Sequence, residues 1–310
     1  MATMRAVVRR GTAVALERLP VPELRGPDDV RVRVAVAGLC RTDLLVAAGK
    51  LPSADPVVLG HEFAGTVDAL GPAVAGLRVG DRVAVRPLVP CGNCGVCRSG
   101  DDINCPHRSM LGVDRDGAFA EFVVLPAACL VPVPPHVPDL AAAYAEPVAA
   151  ALAVFNAGIA PHQHGLVYGG NRFARLVEML LRTRGFRHIT THDPAAACEP
   201  LPDDAFDFVI ETGLDGWVMA DLIRVTKPGG TLVLKSRVPR HVPVDFLPAV
   251  LKQLTFRAVS YGPFRRAVGL LAEGLDVSDL LGPVRPLEEW EAAFEKARGR
   301  EAKKLFLAPG

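Results

Sequence analysis

Beyond Pro161 the apolar residues fall into short runs divided by glycines and by amphipathic stretches. Leu166 to Tyr168 reads as a strand, the glycines after it as a turn, and Arg172 to about Arg184 as a helix. A second strand near His188 to Thr191 ends at Asp193. The order then recurs: Phe208 to Glu211 predicts a strand, MADLIRVT a helix, KPGG a turn and TLVLKS another strand. TFRAVS, Thr255 to Ser260, reads as an edge strand. Strands alternating with helices in this way predict a parallel sheet. The region holding Cys40 and His61 reads instead as short strands. Near the end, Leu287, Trp290, Ala293, Phe294 and Ala297 recur at helical spacing before a short final strand.

Such a strand–turn–helix start sets a helix N-terminus against a pyrophosphate, and an acidic residue about twenty positions on can bond a ribose hydroxyl. Against G-x-G-x-x-G the chain offers Gly169, Asn171 and Ala174, with Gly170 between the first two. Alanine at the last position is an accepted variant. Asparagine replaces the glycine that lets backbone approach phosphate, and its tolerance of left-handed backbone predicts that the turn survives. Asp193 is the acidic residue, which favours NAD(H) over NADP(H) because a carboxylate repels a 2′-phosphate; Arg172 and His192 leave NADP(H) open. Only thirteen residues, PAAACEPLPDDAF, separate Asp193 from Asp207. That interval is too short for a helix, a third strand and a second helix. The expectation is a shortened sheet of about five strands, with one wall open beside the adenine.

Length and composition set the frame. At 310 residues, 50% apolar and 22% charged, the chain has room for two globular domains. A formal charge of +1 with mixed signs predicts neither a nucleic-acid surface nor an acidic tail. The first twenty residues hold no unbroken apolar run, so no signal peptide is expected and the cytoplasm is the expected compartment. Leu140 to Ala160 is mostly apolar, but Glu146, Pro147 and Asn156 interrupt it, and no membrane span is expected.

Cys91, Cys94, Cys97 and Cys105 are spaced x2, x2 and x7. Gly92, Asn93 and Gly95 suit the tight knuckle that turns neighbouring thiolates toward one ion. Four sulfurs complete a tetrahedral zinc shell and leave no position for substrate, so the lobe 91–105 reads as a structural zinc site. An iron–sulfur cluster shares this spacing. A zinc-ribbon module for nucleic acid would need basic residues here, yet Arg98, Arg108 and Arg115 are offset by Asp101, Asp102, Asp114 and Asp116. Cys129 and Cys198 are single thiols expected to be buried, and His162 and His164 are expected in a solvated turn.

GLCRTDL (38–44), GHEFAG (60–65), the cysteine cluster and AEPVAAAL (145–152) come in an order that resembles the medium-chain, zinc-dependent alcohol dehydrogenases over nearly the whole chain. Glu146-Pro147 makes it resemble the polyol and threonine dehydrogenase branch. The resemblance implies an α/β fold: a GroES-like, β-rich catalytic domain (1–146, with a C-terminal return over 265–310) and a shortened Rossmann domain (147–264). It implies that Cys40 and His61 bind a catalytic zinc, with Glu62 and Glu146 sharing or exchanging the remaining protein position. Asp43 would fix the imidazole tautomer and Thr42 would begin a proton relay, whose next position in some relatives is histidine but here is Leu45. Two zinc ions per subunit, a nicotinamide cofactor and a small-molecule substrate follow. So does hydride transfer between a secondary alcohol and its ketone, on a polyol, cyclitol or sugar. Reduction of an activated C=C bond is the alternative on the same scaffold. The edge strand carries the expectation of a homodimer or homotetramer, as relatives commonly pair there.

Overall fold

The computed structural model describes residues 2–196, 199–214, 218–238, 241–299 and 303–310. Cys198 lies outside them. The chain divides into two compact units, Met1–Pro147 with Phe264–Gly310, and Val148–Pro263.

In the first unit, β1 (Asp29–Gly38) alternates buried Val30, Val32, Val34 and Val36 with the more exposed Arg31, Arg33 and Ala35. This period of two puts one face on the core. The strand pairs antiparallel with β2 (Glu62–Leu70), which pairs with β3 (Arg82–Val85). Two further strands follow: β4 (Phe122–Pro126), paired with the first half of β1, and β5 (Leu130–Pro132), paired with β3. The returning segment completes the sheet. Strand Lys304–Ala308 pairs with the Ala37–Gly38 end of β1, and Leu281–Pro286 runs parallel to it at the edge. Register shifts near Val34 bend β1 toward its end, where the chain enters the short helix α1 (Arg41–Ala47). Phe63, Leu39, Leu59, Leu111 and Phe119 lie in this core, fully buried. The helix Trp290–Ala297 closes it with Ala293 and Phe294, as its spacing predicts.

Among the described residues one run, Asp139–Ala157, is long and apolar enough to cross a membrane, but 72% of its 18-residue apolar window is buried inside the protein. It contains α2 (Ala145–Leu152).

The second unit is a five-stranded, wholly parallel sheet. β6 (Gly165–Tyr168) leads through α3 (Arg172–Thr183) to β7 (Ile189–His192). Then come β8 (Phe206–Glu211), α4 (Val218–Val225), β9 (Thr226–Leu234), α5 (Phe246–Leu251) and β10 (Thr255–Ala258). The spatial order is β7-β6-β8-β9-β10. In the doubly wound numbering this is 2-1-4-5-6, with no strand three among the described residues and β7 at the edge. The short interval after Asp193 therefore means what its length implied. α3 buries Ala174, Val177, Leu180 and Leu181, an i, i+3, i+4 stripe.

Two local expectations change. KPGG does not end a helix before a new strand; Lys227–Gly230 lies within the bounds of β9. Phe206 faces Thr226 but Phe208 faces Thr231, so the four residues stand out of the ladder, with Gly229 at φ 75°. His162 is exposed, as a turn residue should be. His164 is half-buried instead, its Nε2 3.2 Å from Thr190 Oγ1 and its ring 4.8 Å from that of Phe206. Cys129 is fully buried.

Candidate active site

Cys40 sits where β1 gives way to α1, as the N-cap residue of that helix. Asp43, one turn on, is wholly buried and ties the corner together. Its Oδ2 accepts from the backbone N–H of Cys40 (2.8 Å), and its Oδ1 accepts from the N–H of Gly60 (3.2 Å). The same Oδ1 lies 3.0 Å from Nδ1 of His61. In the neutral ring that a metal ligand must be, that contact keeps the proton on Nδ1 and leaves the Nε2 lone pair for the ion. Glu62 begins β2 and His61 stands just before it; they are 2% and 1% exposed. One ligand atom from each of Cys40, His61 and Glu62 lies within 4.8 Å of the others.

A thiolate, an imidazole and a carboxylate so grouped fit zinc and leave coordination positions for a small molecule. Burial opposes charge on the His61 ring, but Asp43 and Cys40 outweigh it and hold its pKa well above 6.5 in the metal-free protein. The pocket is electronegative and set for a cation. Thr42 Oγ1 lies 3.8 Å from Cys40 Sγ. Glu146, buried in the first turn of α2, is not among the three groups brought together.

The second cluster has a different character. Cys91, Cys94, Cys97 and Cys105 converge with Sγ–Sγ distances of 3.5 to 3.9 Å. A tetrahedral ion with metal–sulfur bonds of about 2.3 Å demands edges of about 3.8 Å. Gly92 at φ 75° makes the tight turn, and the backbone N–H of Cys97 points at Cys94 Sγ (3.4 Å). Without metal the sulfurs compete. The N–H of Asn93 draws the Cys91 thiol down to about 6, while desolvation and neighbouring sulfurs push Cys97 up to about 12. A cation resolves that competition, and four sulfurs close its shell.

In the second unit, Gly169 and Gly170 follow β6 at the point where the sheet order reverses. Gly169 has φ 138°, and a Cβ on it would meet Thr212 Oγ1 at 2.1 Å; a Cβ on Gly170 would meet the Asp193 carboxylate at 1.9 Å. The turn is kept, but Asn171 does not use left-handed backbone: at φ −117° it is the N-cap of α3. Its Oδ1 accepts from the N–H groups of Phe173 (2.9 Å) and Ala174 (3.0 Å). Its Nδ2 donates to the carbonyl oxygen of Thr212 (3.0 Å). Arg172 is the first residue of α3. Turn, acidic residue and strand ends fit a dinucleotide. The anion position at the helix is met by the chain's own amide oxygen, so a pyrophosphate held there has to displace it.

Sequence reasoning overlooked two buried charged residues. Lys304, 2% exposed, pairs its ammonium with Glu62 Oε2; its only outward sign is a cation opening the apolar strand KLFLA. Gly38 packs against that pair. Glu211, wholly buried at the end of β8, accepts from the N–H groups of Lys235 (2.5 Å) and Ser236 (2.6 Å).

Residues 26–135 match the family described as the alcohol dehydrogenase GroES-like domain. Similar curated proteins include the one named probable D-xylulose reductase A of Neosartorya fischeri, 29% identical over 95% of this chain and 93% of that one. Another is L-threonine 3-dehydrogenase of an Anaeromyxobacter species (strain Fw109-5), 28% identical over 93% of each. The alignment with the first runs over 334 positions, more than the 310 residues here, so this chain lacks residues that its relative has. Among solved structures, one described as a zinc-binding dehydrogenase of Sinorhizobium meliloti 1021, bound to NADP, superposes with a TM-score of 0.90. It is 27% identical and covers all of both chains. An alcohol dehydrogenase from Thermus sp. ATN1 gives a TM-score of 0.86 at 25% identity, over 98% of this chain and 99% of that one.

Proposed function

We propose that the chain is a medium-chain, zinc-dependent alcohol dehydrogenase, a reading supported by its GroES-like domain match and by its likeness to such dehydrogenases over nearly its whole length, and that Cys40, His61 and Glu62 hold its catalytic zinc. The enzyme is an oxidoreductase that interconverts a secondary alcohol and its ketone with a nicotinamide cofactor. The observation that carries the assignment is the mixed donor set, buried yet incomplete, beside a four-sulfur cluster that is complete. Zinc supplies a Lewis acid for negative charge on the substrate oxygen, and the nicotinamide supplies the hydride acceptor or donor.

The chain's own residues do the rest. Asp43 holds the His61 ring in the tautomer that presents Nε2. Thr42 carries a hydroxyl close to the thiolate of Cys40 and takes the first place in the proton's path to solvent. Leu45 in the place of a relay histidine sends that path on through water. Glu62, with Glu146 in reserve on α2, provides the carboxylate. Cys91, Cys94, Cys97 and Cys105 hold the second, structural zinc, giving two per subunit.

Gly169, Gly170, Arg172 and Asp193 are assigned to the dinucleotide, with Asn171 as the residue it displaces. Asp193 against the glycine turn supports NAD(H) ahead of NADP(H). The catalytic half is assigned to 1–146 with 265–310 and the nucleotide half to 147–264, a division supported by the two compact units. Polyols and related secondary alcohols are the proposed substrate class, in keeping with the relatives' names. The exposed apolar face of α5 beside edge strand β10 supports a homo-oligomer. Reduced cysteines in a thiolate–zinc lobe suit the cytosol.

The test pairs zinc analysis with titrations of NADH and NADPH and a panel of polyols, ketones and unsaturated carbonyls. Turnover of secondary alcohols with saturable cofactor binding is the expected result. Binding of neither cofactor, or reduction of the C=C bond alone, would overturn the proposal.

A further inference from the structure

Lys304 is among the largest fully buried side chains in the protein, in the company of Phe63, Phe119 and Phe306. An ammonium in such a place is costly unless paired. Its partner is Oε2 of Glu62, and the two side chains are 2% and 3% exposed. Glu62 Oε2 accepts no hydrogen bond of regular geometry, so the contact is an ion pair and the oxygen has capacity left for a second cation. The backbone is shaped around the pair. Strand Lys304–Ala308 lies beside β1, and a Cβ on Gly38 would come within 2.8 Å of Lys304 Cε and 2.9 Å of Glu62 Oε2. Gly38 stands two residues before Cys40. One carboxylate thus meets both the Lys304 ammonium and the donor set of Cys40 and His61.

We propose that Lys304 is a positioning residue that tethers Glu62 and restrains its ligation of the catalytic metal, keeping a coordination position open for substrate. This rests on the metal site proposed above. Two effects act in the same direction. A carboxylate already paired with an ammonium gives up part of that pairing to bind a metal ion, which makes it a weaker ligand. The ammonium also repels a divalent ion bound close by. Arginine would keep the charge and the tether, whereas methionine would fill the space without either.

The test uses full-length protein with zinc in the cysteine lobe and the second site emptied by a chelator, then titrated with Co2+. In Lys304→Met the metal-free protein should melt earlier, because Glu62 is left charged and alone. Co2+ should bind about tenfold more tightly than in the parent, the scale on which outer partners tune metal sites. Its visible absorption should shift as Glu62 ligates fully. Lys304→Arg should return both readouts toward the parent. A merely structural lysine would lower thermal stability without raising affinity or moving the spectrum, and that result would overturn the proposal. Should Lys304→Met not fold, the charge-free pair Glu62→Gln with Lys304→Met replaces it. A Co2+ spectrum identical to the parent's would then show that Glu62 never reaches the metal. A parent protein that takes no second metal ion would instead defeat the metal site itself, and this inference with it.

Discussion

The side-chain amide of Asn171 donates to the carbonyl oxygen of Thr212 at 3.0 Å, tying the turn after β6 to the residue after β8. With its Oδ1 on the N–H groups of Phe173 and Ala174, one side chain spans the place where the sheet order reverses. An anion at this helix end competes with a partner already in position. Asn171→Gly should therefore tighten NADH binding, by about tenfold if one charge-assisted contact is released. The cost in stability should be only a few tenths of a kcal/mol for the cap itself. Calorimetric titration of both proteins measures it; equal or weaker binding by the glycine variant would show that Asn171 is no obstacle.

Cys40→Ala should remain folded, carry one zinc fewer and lose turnover. Cys94→Ala opens the shell that organises residues 91–105 and should lower the melting temperature or solubility, since a small lobe draws its folding energy from metal. Metal analysis with thermal melts separates the two. Equal losses of zinc and of fold in both variants would contradict the division of roles.

Asp43→Asn keeps the shape of the side chain but removes the charge that fixes His61. Zinc affinity at the Cys40 site should fall 10- to 100-fold, on the order seen for such partners. Competition with a chromophoric chelator reads this out. A change below twofold would mean that the contact between Asp43 and His61 does not orient the ring.

Asp207 joins β8 to its surroundings by accepting from Lys227 Nζ (2.9 Å) and the backbone N–H of His164 (2.7 Å). The Lys227 bond, ahead of the His164 contact, pulls its pKa below the ordinary 3.8. A depressed carboxylate stabilises the fold above the unfolded-state value and loses that contribution as pH falls through the folded-state value. Asp207→Asn should thus be the less stable protein at neutral pH, by no more than about 1 kcal/mol given solvent screening. The gap should close below about pH 4. Denaturant melts across pH 2.5 to 7 check the sign; a gap that widens in acid would reverse it.

Leu247, Val250 and Leu251 on α5 are 64%, 68% and 74% exposed, close in sequence to edge strand β10. If this face meets a second copy, Val250→Glu should shift the protein toward monomer in sedimentation velocity, with the fold intact. An unchanged sedimentation coefficient would remove α5 from the contact.

What the sequence disclosed follows from where its information is local. Cysteine spacing is a property of neighbouring residues, and Cys91 to Cys105 were placed without a structure. Chain length is equally local: the thirteen residues after Asp193 leave no room for a helix, a third strand and a second helix, and the described residues form no such strand. The meeting of Cys40 with His61 needed the family resemblance, because β1 and β2 bring them together across twenty residues. Lys304 was beyond reach, since nothing around KLFLA announces that its cation will lie against Glu62, far away in sequence. Asn171 keeps the turn by a route that its residue type did not announce. Its residue type suggested left-handed backbone, whereas the capping bonds of its side chain decided its conformation.

Trimming a sheet usually leaves a raw margin that invites other chains to dock and aggregate. Here the new margin is β7, four residues of isoleucine, two threonines and histidine, with Thr191 Oγ1 already donating to Glu178 on α3. So brief and polar a border offers little purchase for a foreign strand. A sheet that stops at β7 therefore stays guarded against sticky association at this margin.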